Sequence, residues 1–498
     1  MHDQATLGFI ARHNLWTPQQ QAAADAIAER VRAGEFTTVR VSVADPQGKL
    51  RGKTTLPKTF LSTLTNGLDF SSAQYNFDSG ENIAFNPFTT GGSLDMAEME
   101  GFPDLVLVPD PLTFRELPWA PGTGWVLGDM YFNDGTPVPF DARHKLKQVV
   151  ADLESEGLHY VAGLEVEFYL TRVVDPKLAP ADSGALGMPP APPVVETIGK
   201  GYAYQSEVQM DAIDDFLTVV ADYADKLGMP LRTMEDELGP GQLEFTFDVL
   251  GALEAADTMT LFRSMIKQVS ARMGLHATFM TRPGLPGFCA SGWHLHQSVS
   301  DRDGINLFPA AAGSDDLLSP LGRHFVGGLL EHASAASVFT TPSINGYHRR
   351  RPYSLAPDRA TWGHDNRAAM CRVQGGPGDP TSHIENRIGE PTANPYLYLG
   401  CQIAAGLDGI RRELDPGPVE ADPYSATDRP KLPVTLMEAV DELKRSEFFR
   451  QTFGNIFVDW LLGLKASEIG RFLEAEPDWE HNPDVVTEWE HREYFTKY

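Results

Sequence analysis

Glu165 and Glu167, in Gly163-Leu164-Glu165-Val166-Glu167-Phe168, are the residues whose spacing most directly offers chemistry. On an extended strand alternate side chains share a face, so both carboxylates project one way while Leu164, Val166 and Phe168 project the other. Close like charges resist ionising together. Such a pair either carries a divalent cation or salt-bridges to basic neighbours. A second alternating run, Gln242-Leu243-Glu244-Phe245-Thr246, puts Gln242, Glu244 and Thr246 on one face, and Glu237 lies just before it. A third, Trp293-His294-Leu295-His296-Gln297-Ser298, aims His294 and His296 the same way. Arginines gather downstream at Arg349, Arg350, Arg351, Arg359, Arg367, Arg372 and Arg387, with Glu385 among them. Guanidinium suits phosphate and carboxylate, so this cluster reads either as a polyanion site or as a solvated lattice of ion pairs. No Walker or Rossmann glycine loop is present, so any nucleotide must be held by metals and side chains.

The elements that must position these residues are legible in outline. Thr17-Pro18 is a helix-start signal, and Ala22, Ala23, Ala24, Ile27, Ala28 and Val31 follow at helical spacing. Thr37 to Ala44 alternates as a strand, and Asp45-Pro46-Gln47-Gly48 turns the chain back into a second one, with Asp45 either capping the turn or facing a site. Short β-like runs near 104–108 and 124–127 make residues 1–140 a small, mostly β module with a leading helix. From 141 the character changes. An amphipathic helix over 142–156 leads into the Glu165/Glu167 strand, and longer helices over 211–228 and 252–273 alternate with strands through the larger domain, 141–498. Residues 175–193 carry six prolines, Pro176, Pro180, Pro189, Pro190, Pro192 and Pro193, and form a surface loop.

Composition excludes several classes. With 41 basic against 68 acidic residues the net charge is −27, which argues against a nucleic-acid or anionic-membrane surface. Three scattered cysteines, Cys289, Cys371 and Cys401, make neither a disulfide framework nor a cysteine metal site. Met1-His2-Asp3-Gln4 has no export signal, and no apolar run approaches a membrane span, so the cytoplasm is the expected location.

Five ordered stretches together resemble the glutamine synthetase family: Gly-Leu-Glu-Val-Glu-Phe (163–168), Glu-Leu-Gly-Pro-Gly-Gln-Leu-Glu (237–244), Ser-Gly-Trp-His-Leu-His-Gln-Ser (291–298), Trp-Gly-His-Asp-Asn-Arg (362–367) and Ile-Glu-Asn-Arg (384–387) with Ala-Asn-Pro-Tyr-Leu (393–397). The resemblance implies an α+β chain: an N-terminal β-grasp domain and a C-terminal catalytic domain with a curved antiparallel sheet. It implies homo-oligomers, usually dodecamers of two hexameric rings, with active sites between subunits. It also implies ATP and two Mg²⁺ or Mn²⁺ ions, one held by Glu167, Glu237 and Glu244, the other by Glu165, His294 and Glu385. In the family's pattern His296 and Ser298 face ATP, Arg372 its phosphates and Arg349 the glutamate carboxylate. Arg367 and Arg387 face the transferring phosphoryl group, and Asp45 is the carboxylate a neighbouring subunit offers to the incoming nitrogen. The reaction so implied has two steps. Glutamate's γ-carboxylate takes the γ-phosphoryl of ATP, and a neutral amine then attacks the γ-glutamyl phosphate.

Departures from the family pattern shift the expected substrate. Ammonia-using members carry a glutamate on a flap six positions after the residue matching Arg349, and here that position is Leu355. Cys289-Ala290 stands where an Asn-Gly touches glutamate, Trp293 replaces a methionine, and His383 replaces a phosphate-contacting arginine. Glu235 and Asp236 occupy a usual His-His pair, and the bacterial adenylylation motif is not recognisable near Tyr424. The text around 345–367, and Glu488-Trp489-Glu490-His491-Arg492-Glu493-Tyr494, resemble the branch that joins glutamate to organic amines, including γ-glutamylpolyamine synthetases. Leu355, Trp293 and Phe288 as apolar walls favour an aryl or small alkyl monoamine over a polyamine. The alternatives are a true glutamate-ammonia ligase and a catalytically silent ring-forming scaffold of the same fold.

Overall fold

A computed structural model describes residues 7–498, so the Met1-His2-Asp3-Gln4 segment lies outside the described residues. The helix Pro18–Arg32 starts as its sequence dictates. Thr17 accepts from the Gln20 backbone and Gln20 answers the Thr17 backbone, while Pro18 fills the first turn. Strands β1 (Thr38–Ala44), β2 (Leu50–Thr55), β3 (Leu68–Ser71), β4 (Asp104–Pro109), β5 (Arg115–Glu116) and β6 (Thr123–Tyr131) form one six-stranded sheet. Its order is β2-β1-β6-β4-β3, with β5 on β6. Only β1 and β6 run parallel. A parallel pair cannot be closed by a hairpin, and the helix Pro57–Asn66 lies within the long connection between them. This mixed sheet with its helices is the β-grasp arrangement expected from the sequence.

The second sheet has ten strands: β7 (His159–Asp175), β8 (Val194–Thr197), β9 (Leu231–Asp236), β10 (Gln242–Phe247), β11 (Leu250–Gly251), β12 (Leu275–Thr278), β13 (Trp293–Ser300), β14 (Trp362–His364), β15 (Cys371–Gln374) and β16 (His383–Asn386). The main path is β14-β15-β16-β13-β7-β10-β9. All its pairs are antiparallel except β14 with β15. β7 is 17 residues long and pairs along its length with β13, β10, β12, β11 and β8, so the sheet curls around it.

One face of this sheet is core. Leu164, Val166, Phe168, Leu243, Phe245 and Leu295 are all buried, and Phe168 meets Phe245 and Phe279 at ring separations of 5.1 Å. The helix Ala252–Arg272 covers that face through Phe262. The helix Pro395–Arg411, buried almost throughout, packs between Ala142–Ser155 and Pro320–Glu331. The two sheets are fastened through the 45–48 turn. Arg263, fully buried, donates to the carbonyls of Gly48, Pro391 and Ala393, each at 2.9 Å, and Asn394 donates to those of Asp45 and Pro46. Gly48 has φ +73°, and a Cβ there would stand 2.9 Å from Arg263 and Asn394, so the close approach requires glycine. The proline-rich stretch is a loop ending in β8, as expected. Among the described residues no helix is long and apolar enough to cross a membrane.

Candidate active site

The other face of the curved sheet carries the polar set, and register explains why its members meet. Glu244 stands opposite Glu167, His294 opposite Glu165, His296 opposite Glu385, and Arg372 opposite Glu385. Directly paired strand residues lie close enough for their side chains to share a partner. Two groups result. The ligand atoms of Glu165, Glu244 and His294 lie within 4.8 Å of one another, and so do those of Glu165, His296 and Glu385. Glu165 belongs to both, with His294 Nδ1 against one oxygen and His296 Nε2 2.9 Å from the other. Glu167 accepts from Gln242 at 2.8 Å and stands 3.9 Å from His294 Nε2. The six residues expected as ligands thus stand together, Glu165, Glu167, Glu237, Glu244 and His294 at the cavity and Glu385 against Glu165 and His296, with Glu165 shared by both close groups.

Above this face lies a cavity of about 670 Å³. Glu165, Glu167, Glu235, Glu237, Glu244, His294 and His296 line one side, and Arg282, Arg349, Arg351, Arg367, Arg372 and Arg387 line the other. Burial, reinforced by Glu237, pushes Glu167 up to about 8. Burial, with Glu165 and then Glu167 facing it, pushes Glu244 up to about 10. Glu237 is raised by burial as well. Burial opposes the charge of Glu165 too, but His294 and His296 outweigh it and hold that carboxyl well below the usual range. Crowded, desolvated carboxylates of this kind fit a doubly charged cation, and an oxygen-rich set with imidazole suits Mg²⁺ or Mn²⁺.

The arginine side is tied to the same network. Glu385 is completely buried and accepts from Arg372 at 2.8 Å and from Arg387. Arg387 also donates to the carbonyls of Arg367 (3.1 Å) and Leu355 (3.3 Å), joining the sheet to two loops. Arg349 is buried and donates to the Gly389 carbonyl at 2.6 Å. It reaches the cavity only because residue 292 is glycine: a Cβ there would stand 2.5 Å from its guanidinium and 2.9 Å from His294. Leu355 is 55% exposed at the cavity, with φ +61°, and Tyr353 has φ +62°. Two bulky residues in left-handed backbone so close together mark a strained loop at a site.

Two expected site residues are placed elsewhere. Trp293 is 0% exposed, on the core face beside the outward His294, with its ring 4.9 Å from Tyr398; it is not an apolar wall of the cavity. The Asp45 side chain is also 0% exposed. It accepts from the Gln47 and Lys49 backbone and from Arg51 at 2.9 Å, so within this chain it caps its own turn. Ser298 shares the face of His294 and His296 but lies outside the cavity lining. Of the Glu235-Asp236 pair, Glu235 faces the cavity, whereas Asp236 turns to the Ser206 backbone. Tyr202, Tyr204, Arg282 and His348 also line the cavity. The tyrosines come from an irregular segment with no periodicity, Arg282 from a loop and His348 from the short 3-10 helix Asn345–Arg349, so only the three-dimensional structure reveals them.

A curved antiparallel sheet with a carboxylate and imidazole face, closed by arginines, forms a cavity suited to a divalent cation and to phosphate and carboxylate groups. The chain matches the glutamine synthetase catalytic domain over residues 139–483, and it belongs to the glutamine synthetase family. It is 46% identical to a gamma-glutamylanilide synthase from Acinetobacter sp. over 98% of this chain and 99% of that one. It is 34% identical to the glutamine synthetase of Thermococcus kodakarensis over 81% of this chain and 89% of that one. Among solved structures it is similar to ligand-free GmaS, with a TM-score of 0.74 and 28% identity, covering 94% of this chain and 98% of the other.

Proposed function

We propose that this chain is an ATP-dependent ligase joining the γ-carboxylate of glutamate to an organic amine through γ-glutamyl phosphate. The observation that carries this reading is the two-sided cavity, acidic on the sheet and cationic on the loops, with Leu355 rather than a carboxylate at its flap. Near-full-length similarity to a gamma-glutamylanilide synthase, against a lower identity to the Thermococcus glutamine synthetase, supports an organic nitrogen donor.

Glu167, Glu237 and Glu244 would hold one divalent ion, and Glu165, His294 and Glu385 the other, with His296 and Glu235 beside them. Such ions neutralise phosphate oxygens and hold ATP. Arg349, desolvated and fixed by backbone carbonyls, binds the glutamate carboxylate. Arg367 and Arg387 offset charge on the group in transfer. Arg387 is fixed to Glu385 and to the flap carbonyl of Leu355, so one cation couples the phosphoryl position to flap placement. Around the nitrogen donor, Phe288, Leu238, Leu355, Ala356, Tyr202 and Tyr204 give apolar and aromatic walls that exclude water. An arylamine is a weak base, already neutral near pH 7, so it needs no carboxylate to remove a proton before attack. The apolar walls favour an aryl or small alkyl monoamine, and the absence of a flap carboxylate favours the aryl donor within that class, with homo-oligomeric rings and a cytoplasmic location as accompanying expectations.

The test is ADP release with ATP, glutamate and, in parallel, aniline, isopropylamine, ethanolamine, putrescine and ammonium. Turnover should be best with the aryl or alkyl monoamines. Best turnover on ammonium would overturn the assignment.

A further inference from the structure

The Glu488–Tyr494 helix plays no part in the chemistry described so far, yet it lies directly behind the loop that carries Arg349. Glu490 is 0% exposed. One of its oxygens accepts from His348 Nε2 at 2.7 Å and Asn345 Nδ2 at 3.1 Å, and the other accepts from the Thr487 backbone and hydroxyl. His348 lines the cavity beside Arg349, and its Nδ1 is 3.0 Å from the Pro483 carbonyl. Both ring nitrogens stand against acceptors, which holds the ring in one orientation. The same segment reaches the neighbouring cavity arginines. Asp484 pairs with Arg351, and the Pro483 carbonyl accepts from Arg282. Asn345 in turn accepts from the Arg282 backbone at 2.7 Å.

We propose that Glu490 is a positioning residue for the acyl donor: acting through His348 and Asn345, it fixes the wall formed by the His348 ring and the arginines Arg349, Arg351 and Arg282 that receives the donor's carboxylate. The groups facing His348 are Glu490, Pro483 and His481 from the C-terminal segment and Arg349 beside it in the same helical turn. Glu490 and Asn345 bond to no residue of the carboxylate face, and the wall meets that face at Arg349, which stands toward Glu167. Loss of Glu490 therefore acts first on the donor's wall. The inference rests on the reading of Arg349 as the glutamate anchor.

The experiment compares kcat and KM for glutamate, amine and ATP in Glu490→Gln, His348→Gln, the double variant, and Asp484→Asn, with thermal unfolding of each. Losing a charge-assisted hydrogen bond at this position should raise KM for glutamate about tenfold in Glu490→Gln, while KM for amine and ATP stays within about twofold. In the His348→Gln background Glu490→Gln should add little further, because the two act as one unit. Asp484 is exposed, so its variant keeps the test alive if Glu490→Gln fails to fold, and it should raise KM for glutamate by about two- to threefold. Unchanged constants, or all three KM values moving together with lost folded protein, would overturn the inference while leaving the parent's turnover intact. A parent without glutamate-dependent turnover would instead overturn the functional reading beneath it.

Discussion

Replacing Leu355 by glutamate tests the flap most directly. Leu355 lines the cavity, and its carbonyl accepts from Arg387, so a longer polar side chain there starts from a backbone already fixed near the reacting groups. The φ of +61° is strained for leucine and for glutamate alike, so the exchange is close to neutral for the backbone. A carboxylate about 5 Å from a bound ammonium is worth between about 0.8 kcal/mol in water and about 3 kcal/mol at an effective dielectric near 20. Because this position is 55% exposed, screening places the gain near the lower end, about 1.4 kcal/mol, or about tenfold in kcat/KM for ammonium. The same carboxylate is desolvated by an aryl ring without recompense, so kcat/KM for aniline should fall by a comparable factor. Initial rates of ADP release on the two donors, with ATP and glutamate saturating, give both numbers. An L355E enzyme with the parental ratio of the two would refute the placement of the flap beside the nitrogen donor.

Two other outcomes follow from the site's electrostatics and its opposite face. Glu167 and Glu244 are pushed up to about 8 and about 10 by burial and by each other's neighbours, so without metal the folded state holds protons that the unfolded chain releases. That stability is present below the ordinary carboxylate range and is lost as pH rises through about 8, whereas a divalent ion needs the deprotonated forms. The gain in Tm on adding Mn²⁺ should therefore grow from about pH 6 to about pH 9, with protons released on binding; a gain that shrinks with pH would contradict the crowded-carboxylate account. Trp293→Phe should cost about 1–2 kcal/mol of stability through the space it leaves against Tyr398. KM for the amine should stay within about twofold, and a switch in amine preference would show that the indole reaches the cavity after all.

The strand face was legible because its period is two. Glu165, Glu167, Glu244 and His294 emerge together from alternation, and the same alternation already assigns Trp293, next to His294, to the core. The substrate role for Trp293 came from resemblance, and the structure sides with the period. Which carboxylate joins which imidazole was not legible, since it depends on cross-strand register: Glu165 is central because β13 places His294 opposite it while β16 brings Glu385 opposite His296. The Asp45 turn reads in the sequence either as a cap or as a site, and the hydrogen bonds from Gln47, Lys49 and Arg51 show the cap. Contacts such as His348 with Glu490 join residues 142 apart in the chain, and no local pattern announces them.

The division between strands and loops also separates the two halves of the reaction. Strand pairing fixes side chains at separations a single divalent ion can bridge, and a slip of one residue would turn the carboxylates into the core and the phenylalanines toward solvent. Register is thus held by burial of Val166, Phe168 and Phe245, residues that never meet substrate. The groups proposed to meet the nitrogen donor, Leu355, Phe288, Tyr202 and Tyr204, all sit on irregular chain, where substitution leaves the packing behind the sheet untouched. A fold arranged in this way lets the amine change with little effect on phosphoryl activation, except where a donor-side residue is tied to the sheet. Phe288 is so tied, stacking at 4.4 Å on Tyr169, whose hydroxyl donates to the Gln242 that in turn donates to Glu167. Arg387 is the other such tie. It binds Glu385 on the sheet and the Leu355 carbonyl on the flap at once, so it is a second point at which a change of nitrogen donor would reach back into the activation step.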